Sequence, residues 1–201
     1  MSSRDEDGTT ASRWTRAKVI PDMWVDPEDD PRELGVDTVD ERTTLVEYLR
    51  KYRLTLEMKC ADLTAEQLAC RSVPPSNMSL LGLVRHLADG ERYWFREVLA
   101  GQDVGSIFWK DYDHDAAFNE AEPDPEVVAE AWAVWRAEVE FAERFVAEAA
   151  TLDITGWHEY GPRGREAVPL RSVLVHQIEE YARHCGHADL LRERVDGRVG
   201  Q

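Results

Sequence analysis

Apolar residues recur every three or four positions along four long stretches of the chain, which is the spacing of helices with one buried face. The first predicted helix starts at Thr38 and Glu41, which have the spacing of a capping box, and it ends near Cys60. The second predicted helix starts after Ser79, a suitable N-cap residue, and ends at Gly101. A linker with one short helical turn joins these two predicted helices.

The remaining two stretches lie in the C-terminal half of the chain. Asp124 followed by Pro125 is a favourable helix start, and the apolar period then continues to about residue 150. The last predicted helix runs from about Leu170 to Arg194. Because no strand pattern alternates with these four helices, the sequence predicts an all-α protein built as a four-helix bundle.

The predicted connections are long for an up-and-down bundle, which favours crossovers or loops that shape a site. Residues 102–123 have no clear period and are predicted to form a packed loop, and residues 151–171 form a connection with a hairpin-like bend. Residues 1–37 mix charges with prolines and also lack a period. We therefore predict a partly ordered N-terminal arm at residues 1–37 and the bundle at residues 38–201.

The net charge of the chain limits the kinds of molecule that it can bind. The chain has 24 Lys and Arg residues against 40 Asp and Glu residues, and the resulting formal charge of −16 repels nucleic acids and anionic membranes. No apolar run reaches the roughly 20 residues that a membrane helix needs, and the N-terminal residues lack the apolar stretch of a signal peptide, so a cytoplasmic location is expected. The cysteines are scattered, which favours reduced thiols over a disulfide framework.

A row of polar residues runs along the last predicted helix, within the segment HQIEEYARHCGH at residues 176–187. Positions three and four apart lie on one face of a helix, and the row consists of His176, Glu180, His184 and His187. Apolar residues flank the row, which indicates that part of it faces the interior. An inward glutamate and histidine are costly there unless they are paired or bind a metal.

His86 is the matching candidate on the second predicted helix, where it lies between Leu83 and Leu87 on the apolar side. A single histidine on such a face is more often a hydrogen-bonded core residue than a metal ligand. In combination with Glu180 and His184, however, it completes a three-ligand set of the kind that holds a catalytic zinc and leaves one position open.

Several neighbours of this set are candidates for supporting roles. His176 lies one turn before Glu180 and is interpreted as a residue that hydrogen-bonds this ligand or as a structural residue, and His187 is interpreted as structural. Aromatic residues of the second helix and the following loop are candidates for a pocket wall, although aromatics of this kind are more often plain core: Tyr93, Trp94, Phe108 and Trp109.

The segments SLLGLVRHLADGERYWF and HQIEEYARHCGHADLLRERVDG resemble the DinB-like four-helix metalloproteins, in the branch related to mycothiol-dependent enzymes such as the mycothiol S-transferases and the N-terminal domain of maleylpyruvate isomerase. The resemblance covers about residues 38–198 and is most specific in these two segments. It implies a DinB-like bundle whose metal ligands are His86, Glu180 and His184. The glutamate replaces the first histidine of the HxxxH pair that is usual in the superfamily.

The resemblance also implies a chemistry. A divalent metal, with zinc favoured over nickel, iron or manganese, would bind the thiol of mycothiol or a similar small molecule, and the metal-bound thiolate would attack an electrophile. No cysteine of this chain would be the nucleophile. The isomerase has a further domain after its bundle, whereas this chain ends soon after the fourth predicted helix, so an S-transferase is expected rather than an isomerase.

Two other functions are compatible with the sequence. The polar row is also compatible with a non-catalytic bundle that binds a ligand or a partner, in which the row is a satisfied buried network. A metal-dependent hydrolase that uses bound water is a further alternative, although no separate catalytic acid or base is assigned. Outward apolar residues or the N-terminal arm leave room for a homodimer.

Overall fold

The structure is a computed structural model that describes residues 12–161 and 164–201. The beginning of the predicted arm, residues 1–11, therefore lies outside the described residues. The main elements in chain order are α1 (Glu41–Cys60), α2 (Ala65–Ala69), α3 (Leu80–Glu91), α4 (Ala116–Asn119), α5 (Pro125–Glu148), β1 (Thr155–Gly161), β2 (Gly164–Pro169) and α6 (Leu170–Asp196). Helix α3 continues directly into a π-helical segment, Arg92–Leu99, and two short 3-10 turns, Pro27–Asp29 and Pro31–Leu34, precede α1.

The prediction of a mostly α-helical chain is confirmed. Ser79 caps α3 by accepting a hydrogen bond of 3.1 Å from the backbone N–H of Gly82. Helix α6 ends at Gly197, whose φ of 80° places it in the left-handed region that glycine tolerates best. In the described ranges, no helix combines the length and the apolar character that crossing a membrane requires.

The predicted start of the first helix is wrong by two residues. Asp40, not Thr38, is the N-cap residue of α1, and its carboxylate accepts the backbone N–H of Thr43 at 2.9 Å. The Thr43 hydroxyl accepts the backbone N–H of Asp40 at 3.2 Å, which completes a capping box. Both candidate pairs have the same spacing, and aspartate is among the strongest N-cap residues. Glu41 lies in the first turn, where it pairs with Arg171 of α6 at 2.5 Å.

The four long helices pack around one apolar core. Helix α6 packs along α1, whereas α3 packs along α5 and also contacts α6. Removal of apolar side chains from water drives this arrangement. Each long helix contributes fully buried residues to the core, including Leu56, Leu83, Ala131 and Leu174.

The hairpin-like bend predicted between the last two helices is an antiparallel β-hairpin that packs against the π-helical segment. Gly156 of β1 permits the close approach, because a Cβ atom at this position would lie 1.9 Å from the carbonyl oxygen of Val98. The hairpin is thereby held against the C-terminal end of the π-helical segment. This packing brings His158 of β1 onto Tyr93 and Trp94.

A network of buried polar side chains crosses the core and connects all four long helices. Both carboxylate oxygens of Glu91 accept hydrogen bonds of 2.8 Å from Arg53, and Glu91 also accepts one of 2.9 Å from the Tyr181 hydroxyl. Trp135 donates to the same hydroxyl at 2.8 Å. Burial, with the Glu91 charge adding to it, raises the pKa of Tyr181 well above its usual value. The tyrosine therefore stays protonated and keeps its donor.

The described part of the predicted arm packs against the end of α6 and against α1. Trp24 is buried, and the cationic groups of Lys59 and Arg198 lie 4.0 and 3.7 Å from the centre of its ring. The indole N–H of Trp14 donates to the carbonyl oxygen of Asp196 at 2.9 Å. The division into an arm at residues 1–37 and a bundle at residues 38–201 stays a prediction.

Replacing Glu91 with alanine should destabilise the protein by about 3–5 kcal/mol, because it leaves the buried Arg53 guanidinium without its main partner. Urea denaturation followed by circular dichroism measures this change. The matched control is Glu140→Ala, which removes an exposed ion pair with Arg144 on α5 and should cost no more than about 0.5 kcal/mol. Equal losses in the two variants would contradict the role assigned to the network.

Candidate metal centre

Three side chains that the sequence predicts as ligands meet between α3 and α6. The Nε2 atom of His86 lies 3.7 Å from Oε2 of Glu180, and the Nε2 atom of His184 lies 3.5 Å from the same oxygen. One potential ligand atom of each residue falls within 4.8 Å of the others. Glu180 and His184 are one turn apart on α6, so both side chains can face the single residue His86 of α3.

The centre is closed on the inside and open on the outside. The side chain of His184 is 7 % exposed, whereas those of Glu180 and His86 are 24 % and 40 % exposed. The apolar neighbours of His86 on α3, Leu83 and Leu87, belong to the core. Among the described residues, the cluster is therefore exposed to solvent mainly at the His86 and Glu180 edge.

Phe118 of α4 forms one wall of the centre. Its ring stacks on the His86 imidazole with 5.6 Å between the ring centroids. Gly82 allows this approach, because a Cβ atom there would lie 2.6 Å from the Phe118 ring. Phe118 lies in a region without sequence period, so the sequence offered no signal for this contact.

Charge and burial favour the protonation states that bind metals. The pKa of Glu180 is lowered to about 2, chiefly by the neighbouring His86, with burial opposing and the charges of His184 and His176 adding to the effect. The pKa of His184 is lowered to about 4, chiefly by burial and next by the His86 charge. Near neutral pH, Glu180 is ionised and His184 is neutral.

The donor set fits a divalent cation. A tetrahedral zinc ion with bonds of about 2.0–2.2 Å holds its ligand atoms roughly 3.3–3.6 Å apart. The two observed separations to Glu180, 3.5 and 3.7 Å, are close to that requirement. One carboxylate and two imidazoles would leave a divalent ion with a net positive charge.

The other two histidines of the polar row lie on opposite sides of this cluster. The Nδ1 atom of His187 lies 3.3 Å from Nδ1 of His184, within hydrogen-bonding distance. His176 lies 4.0 Å from a carboxylate oxygen of Glu179 and contacts the ring of Trp94 edge-on at 4.8 Å between centroids. Its proposed hydrogen bond to Glu180 stays a prediction.

The four aromatic candidates for a pocket wall separate into two groups. Tyr93 and Trp94 lie on the π-helical segment, next to each other and to His158, and Trp94 also contacts His176. Phe108 is buried under the guanidinium of Arg85 at 4.4 Å, and Trp109 is partly exposed and stacks on His114. The structure therefore brings the first pair to the polar row of α6 and places the second pair in the loop after α3.

His158 is a residue that the sequence pattern did not single out. Its Nδ1 atom lies 2.6 Å from the hydroxyl of Tyr93, and its ring covers Trp94 with 5.3 Å between centroids. The position is set by packing of the hairpin on the π-helical segment, a long-range contact that no local spacing encodes. Through Trp94, these side chains contact His176 at the N-terminal end of the polar row.

The profile of the mycothiol-S-transferase family matches residues 44–197, which include all three candidate ligands. The chain belongs to the mycothiol-S-transferase family. No curated protein matches it. The structure is similar to that of a conserved protein from Enterococcus faecalis, with 17 % identity, a TM-score of 0.55, and coverage of 81 % of this chain and 99 % of that one. At this identity the similarity shows a shared fold alone.

Membership of this family indicates a transferase activity related to mycothiol. The cysteines of this member are poorly suited to act as nucleophiles in such a reaction. Burial raises the pKa of Cys60 and of Cys185 to about 12, so both stay protonated near neutral pH. Cys70 is exposed but lies in the linker after α2, outside the three-residue cluster.

The lowered pKa of His184 predicts a pH dependence of stability in the metal-free protein. Because the unfolded chain takes up a proton near pH 6.5 and the folded chain near pH 4, acidification between these values favours unfolding. The slope from this residue is at most about 1.4 kcal/mol per pH unit. Urea denaturation should show a shallower dependence for His184→Gln than for the wild type. An unchanged dependence in this variant, or the same change in His114→Gln, would contradict the assignment.

Proposed function

We propose that this protein is a DinB-like four-helix bundle that acts as a divalent-metal-dependent thiol S-transferase. The observation that carries the proposal is the convergence of His86, Glu180 and His184 in a member of the mycothiol-S-transferase family. The cosubstrates are a low-molecular-weight thiol, mycothiol or a close relative, and an electrophile. The packing of α1 on α6 and of α3 on α5 supports the bundle interpretation.

His86, Glu180 and His184 would hold the metal, and zinc fits this donor set, as do nickel, iron and manganese. When bound, the ion supplies a Lewis acid that lowers the pKa of a thiol so that it ionises near neutral pH. The side chains of the protein provide the conditions for binding. Glu180 contributes the negative charge, and the buried His184 stays neutral and keeps a lone pair for the ion.

The centre is shielded at His184 and exposed at His86 and Glu180. Phe118 stacks on one face of the His86 imidazole, which limits motion of this ring. The strip formed by Tyr93, Trp94, His158 and His176 offers aromatic surface and hydrogen-bonding atoms beside Glu180. We propose that the polar part of the thiol cosubstrate lies along this strip.

An external thiol is the nucleophile in this proposal. The buried cysteines have raised pKa values and neither belongs to the three-residue cluster, so the chain itself offers no activated thiol at the centre. A cytoplasmic location, where low-molecular-weight thiols are kept reduced, remains a prediction, as do the absence of nucleic-acid and membrane partners and the possible homodimer.

The metal site predicts about one divalent ion per chain in the purified, untagged protein. Plasma mass spectrometry should find this metal in the wild type and its loss in His86→Ala and His184→Ala, because each variant removes one of three ligands. His114→Ala, which changes an exposed histidine of a loop, is the control and should retain the metal. A metal-free wild type that cannot be reconstituted would favour the non-catalytic bundle with a satisfied polar network.

Thiol binding at the metal predicts a spectroscopic signal. Protein reconstituted with cobalt should gain a sulfur-to-cobalt charge-transfer band when mycothiol or cysteine is added, and this band should be absent in His86→Ala. The Cys70→Ser variant is the control and should keep the band, since the sulfur comes from the added thiol. Cobalt binding without any change in the absorption spectrum on thiol addition would contradict the S-transferase proposal. In that case, turnover of a chromogenic ester would favour the metal-dependent hydrolase.

A further inference from the structure

His187 lies one turn after His184 on α6, and the two imidazole rings contact each other through one nitrogen atom of each. The two Nδ1 atoms are 3.3 Å apart and the ring centroids 5.3 Å. The other ring nitrogen of His184, Nε2, lies 3.5 Å from Oε2 of Glu180. Each nitrogen of this imidazole therefore has a separate neighbour.

A neutral imidazole carries one N–H, and a nitrogen that binds a metal must carry none. If Nε2 of His184 binds an ion, the proton of this ring has to lie on Nδ1. A buried N–H in turn requires an acceptor, and the side chain of His184 is only 7 % exposed. Within the described residues, Nδ1 of His187 lies 3.3 Å from Nδ1 of His184 and can accept this hydrogen when the His187 ring carries its own hydrogen on Nε2.

We infer that His187 is a positioning residue for His184, accepting the Nδ1 hydrogen so that the Nε2 lone pair is directed to the metal. The inference rests on the proposed metal site. It assigns to the fourth member of the polar row a role that differs from the structural one expected from sequence. His187 holds the ring orientation and the tautomer of a ligand, and it does not itself bind the ion.

Two variants separate this role from a merely structural one. His187→Phe keeps a ring of similar size but has no acceptor. His187→Asn retains an acceptor oxygen near the position of Nδ1 and should restore the hydrogen bond. His114→Phe is the matched control, because it makes the same change at a histidine remote from the cluster.

The first measurement is the zinc dissociation constant, determined by competition with a chromogenic chelator. His187→Phe should weaken zinc binding about 10–100-fold, whereas His187→Asn and His114→Phe should remain close to the wild type. Unchanged affinity in His187→Phe would overturn the inference. A wild-type protein that binds no zinc would overturn the metal site and this inference together, whereas normal wild-type affinity with an unaffected His187→Phe would overturn the inference alone.

The second measurement is the tautomer of His184 in the zinc-loaded protein, read from long-range ¹H–¹⁵N correlation spectra of histidine-labelled samples. The wild type should show the hydrogen of His184 on Nδ1 and a hydrogen bond to Nδ1 of His187. Direct coordination of His187, visible as a metal-shifted resonance of its own ring, would overturn the positioning role and make this residue a ligand.

Discussion

The hydrogen bond between Glu91 and Tyr181 fixes how α3 lies against α6, and the candidate metal centre depends on that register. Glu91 is buried and must be surrounded by donors, which Arg53 and Tyr181 supply. Tyr181 follows Glu180 directly in the sequence. When Tyr181 is held at Glu91, Glu180 is therefore turned toward the preceding part of α3, where His86 lies.

The same constraint, that buried polar groups need partners, operates on both sides of α6. On the inner side it is met by a bidentate arginine and a tyrosine hydroxyl, and the result is a rigid connection between the four long helices. On the outer side, His86 is the neighbour of Glu180 and His187 is the neighbour of His184, and the cluster remains partly open to solvent. The network around Glu91 thus holds the helices in place. The cluster of His86, Glu180 and His184 keeps ligand atoms that can bind a cation.

Some features around the centre can be predicted from neighbouring residues in the sequence, and others depend on residues far away in the chain. The capping residues Ser79 and Asp124, the terminal Gly197 and the apolar period of the long helices are all visible in the sequence, because each depends on neighbours within one or two turns. The capping box of α1 was misplaced by two residues because Thr38–Glu41 and Asp40–Thr43 have equal spacing. The hairpin at Gly156 and the stacking of Phe118 on His86 depend on long-range packing instead.

The sequence alone determined the helical character of the chain, the single polar row on α6 and the choice of His86, Glu180 and His184 as a candidate set, since helical periodicity places residues on a face without knowledge of the partner. Only the tertiary structure decided that these three side chains meet, that Trp94 contacts both His158 of the hairpin and His176 of the polar row, and that His187 contacts the second nitrogen of His184. The physical reason is that contacts between helices depend on their relative shift and rotation, which are set by the buried network and the packed hairpin rather than by any local spacing.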